Sequence, residues 1–306
     1  MGNRFSFKTS QLGFPNSQLA TDDAELTVIE RSVGDYIREA RKLSDEQIEQ
    51  ILAHQKEQGL RFGESAVALR LATPDDVIWA LSKQFRYPYV PQSDGHKNPE
   101  LVIAASPFSA EAETFRELRS QLLQGAMAKH ETRRPLAVLS PDIGDGKTYT
   151  AANLAVAFSQ LGGRTLLLDA DMRTPRLRDM FGVKSSVAGL SSVLSGRAER
   201  RQIHRAEGLP SLFVMPSGPV PPNPQELLQG RAFGRLLEET QRKFDYVIVD
   251  TPAMSHGGDA SIIASQCGSA ILLGRQGRTQ FDRLQSLVVT LERASVQMAG
   301  VVMNAR

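Results

Sequence analysis

Apolar residues in the second two-thirds of the chain fall in short runs: Leu136-Ala137-Val138-Leu139, Thr165-Leu166-Leu167-Leu168, Leu212-Phe213-Val214-Met215, Tyr246-Val247-Ile248-Val249, Ser269-Ala270-Ile271-Leu272-Leu273 and Gly300-Val301-Val302-Met303. None alternates apolar with polar positions, which suits strands buried on both faces. Helical segments separate them, and further helices are predicted from 110 to about 127 and over 149–161. Strand–helix alternation predicts an α/β fold, a mostly parallel sheet flanked by helices.

The first third is patterned differently. Residues 29–91 contain an internal repeat: Val33-Gly34 matches Phe62-Gly63, Ser44 matches Thr73, Ile48 matches Val77, Leu52 matches Leu81 and Gln55 matches Gln84, each pair 29 residues apart. Ser44 and Thr73 stand where N-caps belong, their hydroxyls placed to accept from free amides of the first helical turn. Two helix–turn–helix copies predict a small, mainly helical domain, whose plain reading is a packing repeat without a ligand. Residues 1–28 are polar and aperiodic, which predicts a flexible leader. Residues 92–108 read as a linker by composition. The predicted organisation is a leader (1–28), a helical regulatory or docking domain (29–91), a linker (92–108) and an α/β domain (109–306).

Composition narrows the class. Of 306 residues, 41% are hydrophobic and 23% charged, ordinary for a globular chain. A formal charge of +2 is too weak a bias to imply a nucleic-acid partner. Cys267 is the single cysteine, which excludes an internal disulfide framework and a multi-cysteine metal site, and its setting predicts a buried, inert thiol. The first residues lack the apolar stretch of a secretory signal, and nowhere do about 18 apolar residues run together, so a soluble, cytoplasmic chain is expected.

Candidate chemistry begins where the first apolar run enters Ser140-Pro141-Asp142-Ile143-Gly144-Asp145-Gly146-Lys147-Thr148. Glycines there let backbone amides turn toward phosphate oxygens, and the following helix adds the partial positive charge of its N-terminus. Gly144, Asp145, Gly146, Lys147, Thr148 and Tyr149 are the predicted nucleotide-binding residues, with Lys147 reaching the β/γ-phosphates and Thr148 on Mg²⁺. The full phosphate-loop signature has glycine at the position of Pro141, which lacks an N–H, so the loop entry must differ. Asp169 and Asp171 follow the second run and Asp250 follows the fourth. All three are expected at the carboxyl edge of the sheet, where ligands of open α/β folds bind. Three carboxylates beside a phosphate loop repel one another unless a cation sits among them, although N-capping accounts for one of them as well.

The combination resembles the bacterial tyrosine kinases (BY-kinases) of exopolysaccharide chain-length control, in particular the EpsG type, within the MinD/ParA-like P-loop ATPases. Gly144–Thr148 is similar to their Walker A, Leu168-Asp169-Ala170-Asp171-Met172-Arg173 to their Walker A′, and Val247-Ile248-Val249-Asp250-Thr251-Pro252 to Walker B. The segment 218–228 resembles their proline-rich stretch, and Glu113-x-x-Arg116-x-x-Arg119 their ring-forming helix. The resemblance covers roughly residues 106–306. It implies Mg-ATP as phosphoryl donor, Asp169 as base or orienter of the attacking hydroxyl, and Asp171 and Asp250 on Mg²⁺ beside Thr148. It further implies an adenine contact at Asn304 and self-association through Glu113, Arg116 and Arg119. A membrane-embedded chain-length regulator would serve as activator and hold the chain at the inner face of the membrane. Taken alone, Glu113, Arg116 and Arg119 read as charge pairs of a solvent-facing helix. The five tyrosines are Tyr36, Tyr87, Tyr89, Tyr149 and Tyr246, so the C-terminal tyrosine cluster of the family's autophosphorylated members has no counterpart here. A MinD/ParA-like ATPase switch without protein-kinase activity is the alternative.

The 29–91 repeat resembles the N-terminal (MshEN-like) domain of type II secretion and pilus ATPases, some of which bind cyclic di-GMP. By that resemblance Arg61 of Arg61-Phe62-Gly63, and Arg31 displaced in the first copy, would contact the dinucleotide. Arg41 and Arg70 replace glycines of that family's pattern.

Overall fold

The computed structural model describes residues 31–85, 98–128, 134–184, 188–198 and 202–305. The predicted leader, residues 92–97 of the predicted linker, Tyr87 and Tyr89 lie outside them. Of the two units into which the chain divides, Met1–Arg31 and Ser32–Arg306, only Arg31 of the first is described.

Helices α1 (Val33–Arg41), α2 (Asp45–Gln58), α3 (Phe62–Ala68) and α4 (Pro74–Gln84) reproduce the repeat, with Val33 to Phe62 and Asp45 to Pro74 both steps of 29 residues. Ser32, Ser44 and Thr73 cap α1, α2 and α4, each accepting from the amide three residues on at 3.2–3.3 Å. Asp35, Gln47 and Asp76 return the bond to the cap amide, so two orphan donors are satisfied at each start. Ile37, Ile51, Ala66 and Ala80 are fully buried and form a core with partly buried residues of the same four helices. Tyr36 meets Trp79 edge to face with ring centroids 6.2 Å apart. Arg41 bonds Asp76 at 2.6 Å and so ties the first copy to the second. The matching glycines are not equivalent. A Cβ on Gly63 would stand 2.7 Å from Val77 Cγ1, whereas one on Gly34 would meet nothing nearer than 3.5 Å. Arg70 holds φ 58°, the left-handed region that favours glycine; near the first copy that conformation falls on Lys42 rather than Arg41.

The remaining helices are α5 (Val102–Ala105), α6 (Ala110–Gln124), α7 (Lys147–Ser159), α8 (Leu177–Met180), α9 (Leu190–Leu194), α10 (Pro224–Gln229), α11 (Arg231–Lys243), α12 (Asp259–Cys267) and α13 (Phe281–Arg293). They accompany strands β1 (Leu136–Leu139), β2 (Thr165–Asp169), β3 (His204–Arg205), β4 (Leu212–Met215), β5 (Tyr246–Asp250), β6 (Ser269–Arg275) and β7 (Gln297–Asn304). The sheet runs β3-β4-β2-β5-β1-β6-β7, parallel throughout except for the two-residue edge strand β3. Side chains alternate between two cores. Leu136, Val138, Leu167, Ile248, Ile271 and Leu273 join one with α5, α6 and α7. Ala137, Leu139, Leu166, Leu168, Val247, Val249 and Leu272 join the other with α11, α12 and α13. Helices on both faces are the physical reason the strand sequences read as unbroken apolar runs.

Two features differ from the sequence expectation. Leu101, Val102, Ile103 and Ala104, inside the segment read as linker, are buried in the first core. Asn153 of α7 fastens them, accepting from the Ile103 amide at 3.3 Å and donating to the Glu100 carbonyl at 2.7 Å. Their apolar run is too short to stand out against the Gly, Asn and Pro before it. Strand β3 has two residues, too few for any periodicity to announce. Cys267 is buried and its thiol is pushed up by that burial, as expected of an inert cysteine.

Candidate active site

The loop from β1 to α7 is held open by backbone that only glycine adopts readily: Gly144 has φ 84° and Gly146 φ 99°. A Cβ on Gly146 would lie 2.4 Å from Asn304 Nδ2, and that amide donates to the Asp145 carbonyl at 3.0 Å. Asp145 is fully buried. Its carboxylate accepts from the Asp142 amide at 2.9 Å and from the Thr279 hydroxyl at 3.0 Å. Arg275 Nη1 donates to the Gly144 carbonyl at 3.2 Å, and Arg283 pairs with Asp142. Asp145 therefore acts inside the loop, and the end of β7 and the β6–α13 connection brace it from outside. At the loop entry, the carbonyls of Ser140 and Pro141 accept from the Met254 and Ser255 amides at 3.1 and 3.0 Å. Proline is compatible there because the carbonyl, not an N–H, makes the contact.

Lys147 opens α7 as a buried residue, 7% exposed. Burial lowers its pKa, against the attraction of Asp250, Asp145, Asp171 and Asp142. Its Nζ donates to Ser140 Oγ at 3.0 Å and to the Asp142 carbonyl at 3.2 Å, neither of them an anion.

Asp169 and Asp250 face each other across the β2–β5 pairing, as the last paired residues of both strands. Both are fully buried. Asp169 Oδ1 accepts from the Asp171 amide at 3.2 Å; Asp169 Oδ2 and both oxygens of Asp250 have no hydrogen-bond partner. Burial raises the Asp169 carboxyl well above the carboxylate range, and the charges of Asp250 and Asp171 add to it. Asp250 is pushed up to about 7 by burial; Thr148 lies near enough to oppose the rise without a well-aligned bond, and Lys147 opposes it too. Asp171 is more fully occupied. Its Oδ1 accepts from the Arg173 and Thr174 amides at 3.0 and 2.8 Å and its Oδ2 from the Thr174 hydroxyl at 2.8 Å. Arg173 is anchored in turn by a fork onto Asp259 at 2.7 and 3.2 Å.

A cleft of about 410 Å³ adjoins these groups, lined among others by Gly144, Gly146, Lys147, Thr148, Tyr149 and Asp171. That lies within the usual range for small-molecule sites. The orphaned carboxylate oxygens and the buried Lys147 suit a cation and an anion together, as Mg-nucleotide supplies. Among the described residues no group of three His, Cys, Asp or Glu side chains is placed to hold a metal ion.

Tyr149 donates its phenol to Glu111 of α6 and packs its ring on Phe115, centroids 5.7 Å apart. Arg116 Nη1 bonds Glu113 at 2.7 Å and its Nη2 bonds the Pro107 carbonyl; Arg119 Nη1 bonds the Ala157 carbonyl of α7 at 2.7 Å. Both guanidiniums are thus engaged within the chain. Arg61 precedes α3 with its backbone amide bonded to Glu64 and its side chain exposed; Arg31 is exposed as well. The sequence reading missed Arg275, Thr279, Arg283 and Asp259, which belong to no motif, and gave Ser140 of the loop no role.

Fold and site together define a P-loop nucleotide-binding protein with a second acidic strand end beside Walker B. Residues 136–305 match the CobQ/CobB/MinD/ParA nucleotide binding domain family. The chain is 37% identical over 169 residues to the tyrosine-protein kinase CpsD of Streptococcus agalactiae, covering 55% of this chain and 74% of that protein. It is 32% identical over 206 residues to the tyrosine-protein kinase YwqD of Bacillus subtilis, covering 67% and 86%. The kinase domain of the Escherichia coli tyrosine kinase ETK superposes with a TM-score of 0.64 at 29% identity, covering 72% of this chain and 89% of that one. The chain belongs to the bacterial tyrosine-kinase family.

Proposed function

We propose that this chain transfers the γ-phosphoryl group of ATP to protein tyrosine in the control of exopolysaccharide synthesis. The observation that carries the reading is the buried Lys147, close enough to Asp250 to feel its charge, beside the paired strand ends Asp169 and Asp250 with their unpartnered carboxylate oxygens. In this reading the loop amides of 144–148 and Lys147 hold the phosphates. Mg²⁺, held by Thr148, Asp250 and, through its outward side, Asp171, supplies charge neutralisation when bound. Asp169 Oδ2 receives the acceptor proton. Asn304, which braces the loop, also borders the adenine, and Tyr149 ties α7 to α6 so that nucleotide and α6 share one support.

The finer assignments rest on resemblance: an EpsG-type member, assembling through Glu113, Arg116 and Arg119 and joined to a membrane-embedded chain-length regulator at the cytoplasmic face. Among the described residues no helix is long and apolar enough to cross a membrane. The segment 29–91 acts as a regulatory or docking module of MshEN-like type, 1–28 as its leader and the part of 92–108 ahead of the buried Leu101–Ala104 as its connection to the α/β domain. Arg31 and Arg61 are its contacts if cyclic di-GMP is the signal. Tyr36, Tyr149 and Tyr246 are none of them exposed, so the acceptor is sought on other proteins and in the segment holding Tyr87 and Tyr89.

The test is phosphosite mapping after incubation with Mg-ATP and a glutamate–tyrosine copolymer, wild type beside Lys147→Ala. Phosphotyrosine is expected with the wild type and none with the variant. ADP release without phosphotyrosine would leave a MinD/ParA-type ATPase switch instead.

A further inference from the structure

Among the described residues, three that line the cleft carry charge: Lys147, Asp171 and Arg176. The nucleotide reading uses the first two and leaves Arg176 without a role. Lys147 belongs to the phosphate loop, whereas Arg176 lines the cleft with Thr174 and Pro175, from the segment that follows β2. That segment is fixed at both ends. Before it, the Thr174 amide donates to Asp171 at 2.8 Å; after it, Leu177 is fully buried in the first core. The Arg176 side chain itself is 56% exposed.

What this cation holds is a carboxylate of the same chain. Arg176 Nη2 donates to both oxygens of Glu100, at 2.9 and 3.1 Å. Its Nε and Nη1 make no hydrogen bond among the described residues. Glu100 is carried on a fixed backbone. Its amide donates to Asn98 Oδ1 at 2.9 Å and its carbonyl accepts from Asn153 Nδ2 at 2.7 Å. Its side chain is 38% exposed, and an ion pair between two such exposed groups is held weakly. A guanidinium offers five donors in a planar fork that matches a carboxylate. With one nitrogen of three engaged, a second carboxylate takes the unused donors, or displaces Glu100, at little cost.

We propose that Arg176 seats an acidic residue flanking the acceptor tyrosine, and that Glu100 occupies the same cation while no acceptor is bound. This rests on the kinase reading and names the acceptor class within it, tyrosine in an acidic context. An acceptor must enter the cleft that holds the γ-phosphate, and Arg176 is the cation of that cleft which solvent reaches. A contact made for the nucleotide phosphates is expected to be desolvated, as Lys147 is at 7% exposure. Arg176 stays wet, which suits a contact at the edge of the cleft that chooses between partners rather than one that carries the affinity.

The experiment measures, in the full chain, the KM for ATP and for two acceptor peptides, one with tyrosine flanked by glutamates and one with glutamines in their place. The wild type is expected to favour the glutamate peptide. Arg176→Ala is expected to raise the KM for the glutamate peptide about fivefold, the loss of one charge-assisted contact at a half-exposed site, with the glutamine peptide and ATP unchanged. Glu100→Gln is expected to act in the opposite direction, lowering the KM for the glutamate peptide about twofold by releasing Arg176. Arg235→Ala, which removes the same charge from an exposed position of α11, is expected to change none of the three. An unchanged glutamate-peptide KM in Arg176→Ala, equal rises for both peptides, a rise in the KM for ATP, or the same effect from Arg235→Ala would each overturn the proposal and leave the kinase reading standing. Phosphotyrosine on neither peptide with the wild type overturns both.

Discussion

Replacing Asp250 by asparagine should stabilise the nucleotide-free protein while disabling it. Asp250 is fully buried with both oxygens unpartnered, and burial lifts its pKa from 3.8 to about 7. The folded value lies above the unfolded one, so the folded protein binds more protons than the unfolded chain between those two values. Stability is then highest below pH 3.8 as far as this group is concerned, and is lost as pH rises toward and through 7. The full rise corresponds to at most about 4 kcal/mol. Without the Asp250 charge the neighbouring Asp169 ionises more readily and takes up part of the burial cost, so about 2 kcal/mol of stabilisation is expected at pH 8. For a chain of this size that raises Tm by about 4–8 °C. Calorimetry at pH 8 and pH 5, with and without Mg-ADP, reads all of it. Without nucleotide the gain should be present at pH 8 and much smaller at pH 5. With Mg-ADP the wild type should gain Tm and Asp250→Asn should gain far less, since the carboxylate that cost stability is the one proposed for the cation. A variant no more stable than wild type at pH 8 would refute the view that Asp250 is held in a strained, partnerless state.

Gly146→Ala should abolish nucleotide binding with the rest of the fold intact, because the new Cβ meets Asn304 Nδ2 at 2.4 Å and φ 99° disfavours it; fluorescent-nucleotide titration checks this. Gly63→Ala should destabilise the four-helix segment by about 1–2 kcal/mol through its clash with Val77, while Gly34→Ala should not. Trp79 is the single tryptophan and sits in α4, so fluorescence-detected urea unfolding reads that segment directly. Arg119→Ala should lower Tm by leaving the Ala157 carbonyl without its guanidinium, and Arg116→Ala combined with it should also dissociate any oligomer; light scattering separates the two effects. Equal mass before and after would return α6 to a purely intrachain role.

Residues close in sequence carried much of this protein in legible form. The phosphate loop is nine consecutive residues, and its helix begins within two residues of the expected start. The apolar runs became the strands because burial on both faces demands unbroken hydrophobicity. The 29-residue repeat reappeared in the helix starts because Ser44 and Thr73 satisfy their own first turns, a local act that needs no tertiary partner. Tertiary structure decided what depends on distant pairing. Asn304 and Thr279 reach loop residues 159 and 134 positions away, and no motif encodes that reach. The order β4-β2-β5-β1 sets Asp169 between Ser217 and Asp250, which neighbouring residues in the chain could not reveal. Burial then turned three similar aspartates into unlike groups. Asp171 lies in a turn that feeds it amides, while Asp250 ends a strand where no donor is well aligned to it, and only the folded chain assigns those surroundings.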